Sequence, residues 1–270
     1  MDKKSIKKNE VYSSEDLLVY LSDKAKENKR LYHYTTYEAL LSIIKGRSLR
    51  LSRLDLLNDK AEQKLGYHDE RLKNYVISFT QDKEYVSMWA MYGKASGIKI
   101  RLDFDTKCFR NCINDFYFDS DKKNRLSFYH VNALFGKGDA SEPIRFSDVA
   151  YLDKAKMILK HNTRSFSSGL YVDRNLIDKL TGFVKYDAWE FEKETRLKVQ
   201  LNEDRYSIDR KLPEYIYCGI TEDLIRGFHV TFNPWMTPLL KEEIRKSLCS
   251  LAGFEIQCSD STDDGEITEL

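Results

Sequence analysis

The chain has 270 residues, 44 of them Lys or Arg and 43 Asp or Glu, for a formal net charge of +1. That length can bury a core without disulfide or metal staples. The charge balance excludes a global field that would draw the chain to nucleic acid or to an anionic membrane.

Five scattered cysteines, Cys108, Cys112, Cys218, Cys249 and Cys258, include no C-x-x-C pair, which fits a reducing cytoplasm better than a disulfide framework. Cys108 and Cys112 lack a matching second pair, so no metal site is expected. No apolar run approaches the roughly 18 to 20 residues of a membrane span. The expectation is a cytoplasmic protein with no membrane partner.

In chain order, residues 1–30 read as an accessory N-terminal segment. Within it Ser14 to Lys26 forms an amphipathic helix, with Glu15 and Asp16 in the first turn and Leu17, Leu18 and Leu21 as the apolar stripe. Leu31 to Thr36 is β-prone and runs into a helix that Thr36 caps, Leu40, Leu41 and Ile44 stripe, and Gly46 closes. Leu49 to Leu54 predicts a second strand, with a turn at Asn58-Asp59. Tyr75 to Thr80 and Ile98 to Phe104 predict two more. Between them lies the apolar, aromatic separator Ser87 to Gly93.

From 105 to 148 the pattern is irregular with short elements, and helices are expected at 149–162 and 172–183. Later come a strand at Tyr215 to Ile220, a short helix capped by Thr221, and a strand at Phe228 to Phe232. The last predicted elements are a helix from Thr237-Pro238 to Gly253 and a strand at Phe254 to Cys258. With no internal repeat and no Pro/Gly-rich linker, 31–258 is expected as a single domain, with 105–185 an inserted segment and 259–270 an acidic, disordered tail.

The run Trp189-Glu-Phe-Glu-Lys-Glu-Thr-Arg, continuing Leu197-Lys-Val-Gln-Leu201, carries the strongest chemical signal. Read as a strand, it puts Thr195, Leu197, Val199 and Leu201 on one face and Glu192, Glu194, Arg196 and Lys198 on the other. Same-face neighbours lie roughly 7 Å apart, close enough for one carboxylate to raise the proton affinity of the other and for Arg196 to lower it again. The plainer alternative is a solvated outer face of a half-buried strand.

His33, between two tyrosines just ahead of a helix start, can donate to a hydroxyl or a carbonyl, or simply pack. Trp89 and Tyr92, three apart, would share a face on a helical turn and make an aromatic wall for a planar heterocycle, or sit in the core. His68, His130, His161 and His229 show no ligand spacing. No G-x-G-x-x-G, G-x-x-x-x-G-K, G-x-S-x-G or H-E-x-x-H occurs.

Together these motifs resemble a bacterial family labelled only as a domain of unknown function. They are Tyr32-His33-Tyr34-Thr35, Leu49-Arg50-Leu51-Ser52 with Asn58-Asp59, Ile77-Ser78-Phe79-Thr80, Met88-Trp89 with Tyr92-Gly93, and Trp189-x-x-Glu192-x-Glu194-x-Arg196. That family in turn resembles the ADP-ribosyltransferase superfamily. The resemblance implies an α+β fold, with a split mixed or antiparallel β core, flanking helices and an inserted middle segment. It implies NAD as substrate, held by His33, Tyr34, Thr35, Ser78, Trp89, Tyr92 and Arg196.

Glu194 or Glu192 is then the catalytic acid, one stabilising the oxocarbenium-like transition state and the other deprotonating an acceptor. Implied partners are a macromolecular acceptor, protein or nucleic acid, and an antitoxin or inhibitor, in a toxin or antiviral defence role. Superfamily members with Glu-x-Glu carry an arginine on the first strand and a Ser-Thr-Ser element, whereas this chain has His33 and Ser78-Phe79-Thr80. The alternatives are an NAD glycohydrolase of the same class and a non-catalytic nucleotide or nucleic-acid binding module. The module would use Arg47, Arg50, Arg53, Lys94, Lys99 and Arg101 as its basic lining.

Overall fold

A computed structural model describes residues 16–17, 31–57, 72–81, 86–93, 97–102, 113–126, 144–152, 163–166, 169–172, 180–201 and 212–261. The strands are β1 (Leu31–Thr36), β2 (Ser48–Arg53), β3 (Asn74–Thr80), β4 (Gly97–Leu102), β5 (Ile113–Tyr117), β6 (Arg125–Leu126), β7 (Ile144–Asp148) and β8 (Ala150–Tyr151). They continue as β9 (Thr163–Phe166), β10 (Gly169–Val172), β11 (Val184–Lys185), β12 (Glu194–Gln200), β13 (Tyr215–Ile220), β14 (Phe228–Phe232) and β15 (Gln257–Asp260). Among the described residues the longer helices are α1 (Tyr37–Gly46), α2 (Glu222–Arg226) and α3 (Pro238–Ala252), with a single helical turn at Val86–Met88. The protein is α+β, with mainly antiparallel pairing and few helices.

The chain forms two compact units that interleave along the sequence. One comprises 28–50, 79–125 and 217–270. In it β1 runs antiparallel to β4, β4 antiparallel to β14, and β14 parallel to β15, with His33 opposite Ile100 and Val230 opposite the same residue. Alternation on these strands buries Ile98, Ile100, Phe228, Val230 and Phe232. Helix α1 begins where the Thr36 hydroxyl accepts from the Ala39 N–H and buries Leu40, Ile43 and Ile44. It packs on α3, whose start is set by the Thr237 cap and Pro238, and whose end is set by Gly253 in the left-handed region at φ 75°. The left-handed residue closing α1 is Arg47, at φ 45°, and not the expected Gly46, which is the last helical residue.

The other unit comprises 1–27, 51–78 and 126–216. Strand β12 pairs with both β3 and β7, with Arg196 opposite Ser147. Strands β8 and β11 form a parallel pair and β9 and β10 an antiparallel one.

The helices expected at 149–162 and 172–183 are corrected where they are described. Ala150–Tyr151 is extended, Val172 ends a strand, and after a helical Leu180 residues 181–183 are a turn; the strands Thr163–Phe166 and Gly169–Val172 fall between the two expected helices. The apolar and β-branched residues of Val149-Ala150-Tyr151-Leu152 satisfy either period over so short a run, and pairing to β11 decides for the strand. The strand expected at 254–258 starts three residues later, as Gln257–Asp260. The N-terminal helix, apart from 16–17, lies outside the described residues, as do Asn58-Asp59, Cys108, Cys112 and the tail beyond 261. No helix among the described residues is long and apolar enough to cross a membrane.

Candidate active site

Strand β12 does not have the solvated outer face that its polar residues invited. Every residue from Glu194 to Gln200 is buried, because β3 and β7 flank the strand and both its faces are covered. Thr195, Leu197 and Val199 occupy one face, with the Thr195 hydroxyl donating to Asp148 at 2.8 Å. Glu194, Arg196 and Lys198 occupy the other, so three charged groups are held where charge is costly without partners.

Those partners come from short, irregular segments. Arg196 Nη1 donates to the Gly182 carbonyl at 2.9 Å, and Lys198 Nζ to the Thr181 carbonyl at 2.8 Å while lying 5.0 Å above the Phe183 ring. The turn that presents both carbonyls holds Gly182 at φ 85°, and a Cβ there would meet Leu54 at 3.0 Å. Both the backbone angle and the space require glycine.

Glu192 is not on β12. Asp187–Glu192 is a 3-10 turn, Lys193 adopts φ 41°, and the strand starts at Glu194. The reading of Glu192 and Glu194 as same-face strand neighbours is therefore corrected. The turn ends in a left-handed residue that breaks the alternation, so the two carboxylates are brought together by a different residue.

That residue is Lys185 on β11, which sequence reasoning missed. Its Nζ makes a very short ion pair with Glu192 Oε2 and lies 3.7 Å from Glu194 Oε2. It also sits 4.9 Å from the centre of the Trp189 ring. Arg196 Nη2 contacts the same Glu194 oxygen at 2.6 Å. The Tyr151 hydroxyl accepts from the Glu194 backbone N–H at 2.8 Å, which fixes the first residue of the strand.

Burial works to raise the Glu194 proton affinity. The charges of Arg196 and Lys185, with a hydrogen bond from Ser78, more than offset it and hold the carboxyl below its ordinary range. Burial beside Glu194 pushes the Tyr151 phenol far up, so it stays neutral. The Glu192 side chain is 1% exposed, those of Lys185 and Arg196 4% and 1%, and that of Glu194 10%. Glu194 is thus the acid of the pair that keeps an edge toward solvent.

The remaining candidates lie on the other unit and on β3. Ser78 sits on β3 and bonds Glu194. His33 is half-buried on β1 with its ring 5.7 Å from Phe79. Tyr34 and Thr35 are buried beside it. Trp89 is 1% exposed and meets Tyr34 edge-on at 4.9 Å, while Tyr92 is half-buried. The segment Trp89–Gly93 is a π-helical turn. Its wider i→i+5 winding does not put residues three apart on one face, and Trp89 is committed to packing.

Of the basic residues in the binding-module alternative, Arg53 is spoken for. It grips Asp55 through Nε and Nη2 at 2.6 and 3.0 Å, and it donates to the Leu212 and Pro213 carbonyls. Arg47 pairs with Glu222 at 2.7 Å. Lys94 and the side chains of Lys99 and Arg101 lie outside the described residues. Among the described residues, no group of three or more His, Cys, Asp or Glu could hold a metal.

No curated protein matches the chain. Among solved structures it is similar to that of DarT from Thermus sp. 2.9 in complex with carba-NAD+, with 12% identity and a TM-score of 0.35, over 88% of this chain and 97% of that one. Residues 88–197 match the model of the family DUF2971, described as a protein of unknown function. The matched stretch holds both the Trp89/Tyr92 turn and the Glu192/Glu194/Arg196 run, and so the resemblance to a family known only as a domain of unknown function is borne out over that region.

Proposed function

We propose that the protein binds NAD and cleaves its nicotinamide-ribose bond, transferring ADP-ribose to a macromolecular acceptor. The observation that carries this reading is Glu194. It is an ionised carboxylate at the first position of a buried strand, braced by Arg196, Lys185 and Ser78, with an edge left toward solvent.

Positive charge develops on the ribose as nicotinamide leaves. A fixed carboxylate in a largely dry site stabilises that charge more than it stabilises the ground state. Held ionised, Glu194 accepts a hydrogen bond from the ribose 2′-hydroxyl. In this reading Ser78 orients Glu194 and Arg196 balances its charge, and His33, Tyr34, Thr35 and Tyr92 are further NAD contacts, with Trp89 packed behind Tyr34. The fold behind this chemistry is the split β core of the ADP-ribosyltransferases. The setting is a bacterial cytoplasmic toxin or antiviral effector, held in check by an antitoxin or inhibitor.

A second reading has a specific observation in its favour. Glu192, the carboxylate expected to deprotonate the acceptor, is pinned to Lys185 with its side chain 1% exposed. With Glu192 so engaged, water is an adequate acceptor and the enzyme is an NAD glycohydrolase.

One experiment tests both readings. Purified protein is incubated with adenine-labelled NAD, with and without cell lysate, and nicotinamide, ADP-ribose and labelled macromolecule are measured. Label on protein or nucleic acid supports transfer, and free ADP-ribose alone supports hydrolysis. If folded protein gives neither product nor nicotinamide, both readings fall.

A further inference from the structure

We propose that Lys185 is the positioning residue of this site: pinned between Glu192 and the Trp189 ring, it holds the Glu194 carboxylate at the head of β12, and Glu192 serves as its strut. This rests on the reading of Glu194 as the catalytic carboxylate and assigns the second acid a different task.

The argument begins with how Lys185 is fixed. It lies on β11, which has only two residues, and its backbone is set by parallel pairing with Tyr151 on β8. Its side chain is 4% exposed. A lysine carries three N–H donors on a flexible stem and has no preferred direction of its own. Here Nζ donates to Glu192 Oε2, lies 4.9 Å from the centre of the Trp189 ring, and stands 3.7 Å from Glu194 Oε2. The ammonium is therefore oriented before any ligand arrives.

Arg196 holds the same Glu194 oxygen at 2.6 Å and is itself anchored on the Gly182 carbonyl. Two cations from two elements thus converge on one carboxylate oxygen. Glu192 meets none of the requirements for an acid or base acting on an acceptor, since its side chain is sealed and its oxygen is engaged. Its charge is needed instead to make a buried Lys185 tolerable, because a buried ammonium without a partner is strongly destabilising.

Among the described residues, the charged and titratable groups around Glu194 are Arg196 and Lys198 on its own strand, Lys185 on β11, Glu192 on the preceding turn, Tyr151 on β8, and Asp148 on β7, which Thr195 engages. Of these, Lys185 and Arg196 are the cations whose charge favours ionised Glu194. Arg196 is also a support of the strand. Lys185 can therefore be changed with the smaller disturbance of β12.

The test is carboxyl carbon NMR titration of the full chain, with the Glu194 signal assigned from E194Q, alongside NAD turnover across pH. In K185M the Glu194 carboxyl is expected to gain on the order of tenfold or more in proton affinity, and K185R to restore most of it. In turnover, kcat falls and its acid limb moves to higher pH, while KM is held. An unmoved Glu194 titration in K185M overturns the proposal, as does K185R behaving like K185M. If K185M does not fold, K185M/E192Q removes the orphaned carboxylate. Its Glu194 titration is then compared with that of E192Q, and equal midpoints overturn the proposal. Because the titration needs no substrate, a wild-type protein without NAD turnover would sink the functional reading while the role of Lys185 is still decided.

Discussion

Strands β14 and β12 sit in different units and solve opposite problems. The five residues of β14, Phe228–Phe232, bury Phe228, Val230 and Phe232 opposite the apolar positions Leu102, Ile100 and Ile98 of β4. The seven residues of β12 bury Arg196 and Lys198 nearly as deeply and leave only an edge of Glu194 exposed. Apolar burial is non-directional and tolerates substitution of similar volume. Charge burial demands a named partner for each group. The difference explains why β14 is held by generic packing, while β12 depends on a two-residue strand, a 3-10 turn and a left-handed glycine. In β12 each charge is thereby tied to the position of its partner, and that contrast can be broken or sharpened one residue at a time.

The largest effect is expected from Arg196→Met. Shape is nearly kept, but Glu194 loses its closest cation and the Gly182 carbonyl its donor. Removing one partner of a buried ion pair costs about 3–5 kcal/mol, read as a fall in the urea midpoint at unchanged slope. A volume-conserving change beside β14, Ile100→Leu on its neighbour β4, should cost under about 1.5 kcal/mol. If the two variants are equally stable, the contrast between directional and non-directional burial fails.

Glu194→Gln comes next and separates function from support. The amide keeps the volume and loses the charge, so NAD cleavage should drop by about 10²–10³-fold, with far-ultraviolet circular dichroism unchanged. The pH dependence has a fixed sign. The Glu194 carboxyl is held below its ordinary range, so its contribution to stability is fully present above the unfolded-state value and is lost as pH falls through the folded one. Activity should persist below the ordinary carboxylate range before it fails. An acid limb at or above that range would contradict a pre-ionised Glu194.

What could be read in the sequence follows the same divide. Strand β1, strands β13 and β14 and helix α3 fall where capping residues, apolar period and the Thr237-Pro238 and Gly253 signals put them, because local chemistry decides those ends. The Glu192/Glu194/Arg196 run was recognisable as a charged constellation, yet its geometry was not. A strand pattern extended back through Lys193 cannot anticipate a left-handed residue there. Lys185 escaped because two residues carry no period and its partner is seven positions away. Buried ion networks are assembled by tertiary pairing, and a linear pattern of charges looks the same whether it is solvated or enclosed.

Gly182→Ala tests the support behind the charges without touching them. A Cβ at φ 85° and 3.0 Å from Leu54 should cost about 1–2 kcal/mol, visible in thermal unfolding. It should also weaken NAD cleavage by displacing the carbonyl that anchors Arg196. A variant as stable and active as the wild type would mean the turn can move without disturbing β12.

The smallest effect is expected in the other unit, where a left-handed residue has only a helix end to serve. Arg47 closes α1 at φ 45° where glycine would carry no penalty. Arg47→Gly relieves about 1 kcal/mol of backbone strain and removes an ion pair with Glu222 that is well exposed, its side chains 56% and 36% accessible, and so contributes little in water. The Arg47 carbonyl keeps its acceptor role toward the Ile220 N–H and the Lys122 ammonium. The net result should be a small rise in the unfolding temperature, with NAD turnover unaltered. A marked loss of stability would instead mean that the Arg47–Glu222 pair joins α1 to α2 more strongly than an exposed ion pair should, and surface charge in this unit would then behave like the enclosed charge around β12.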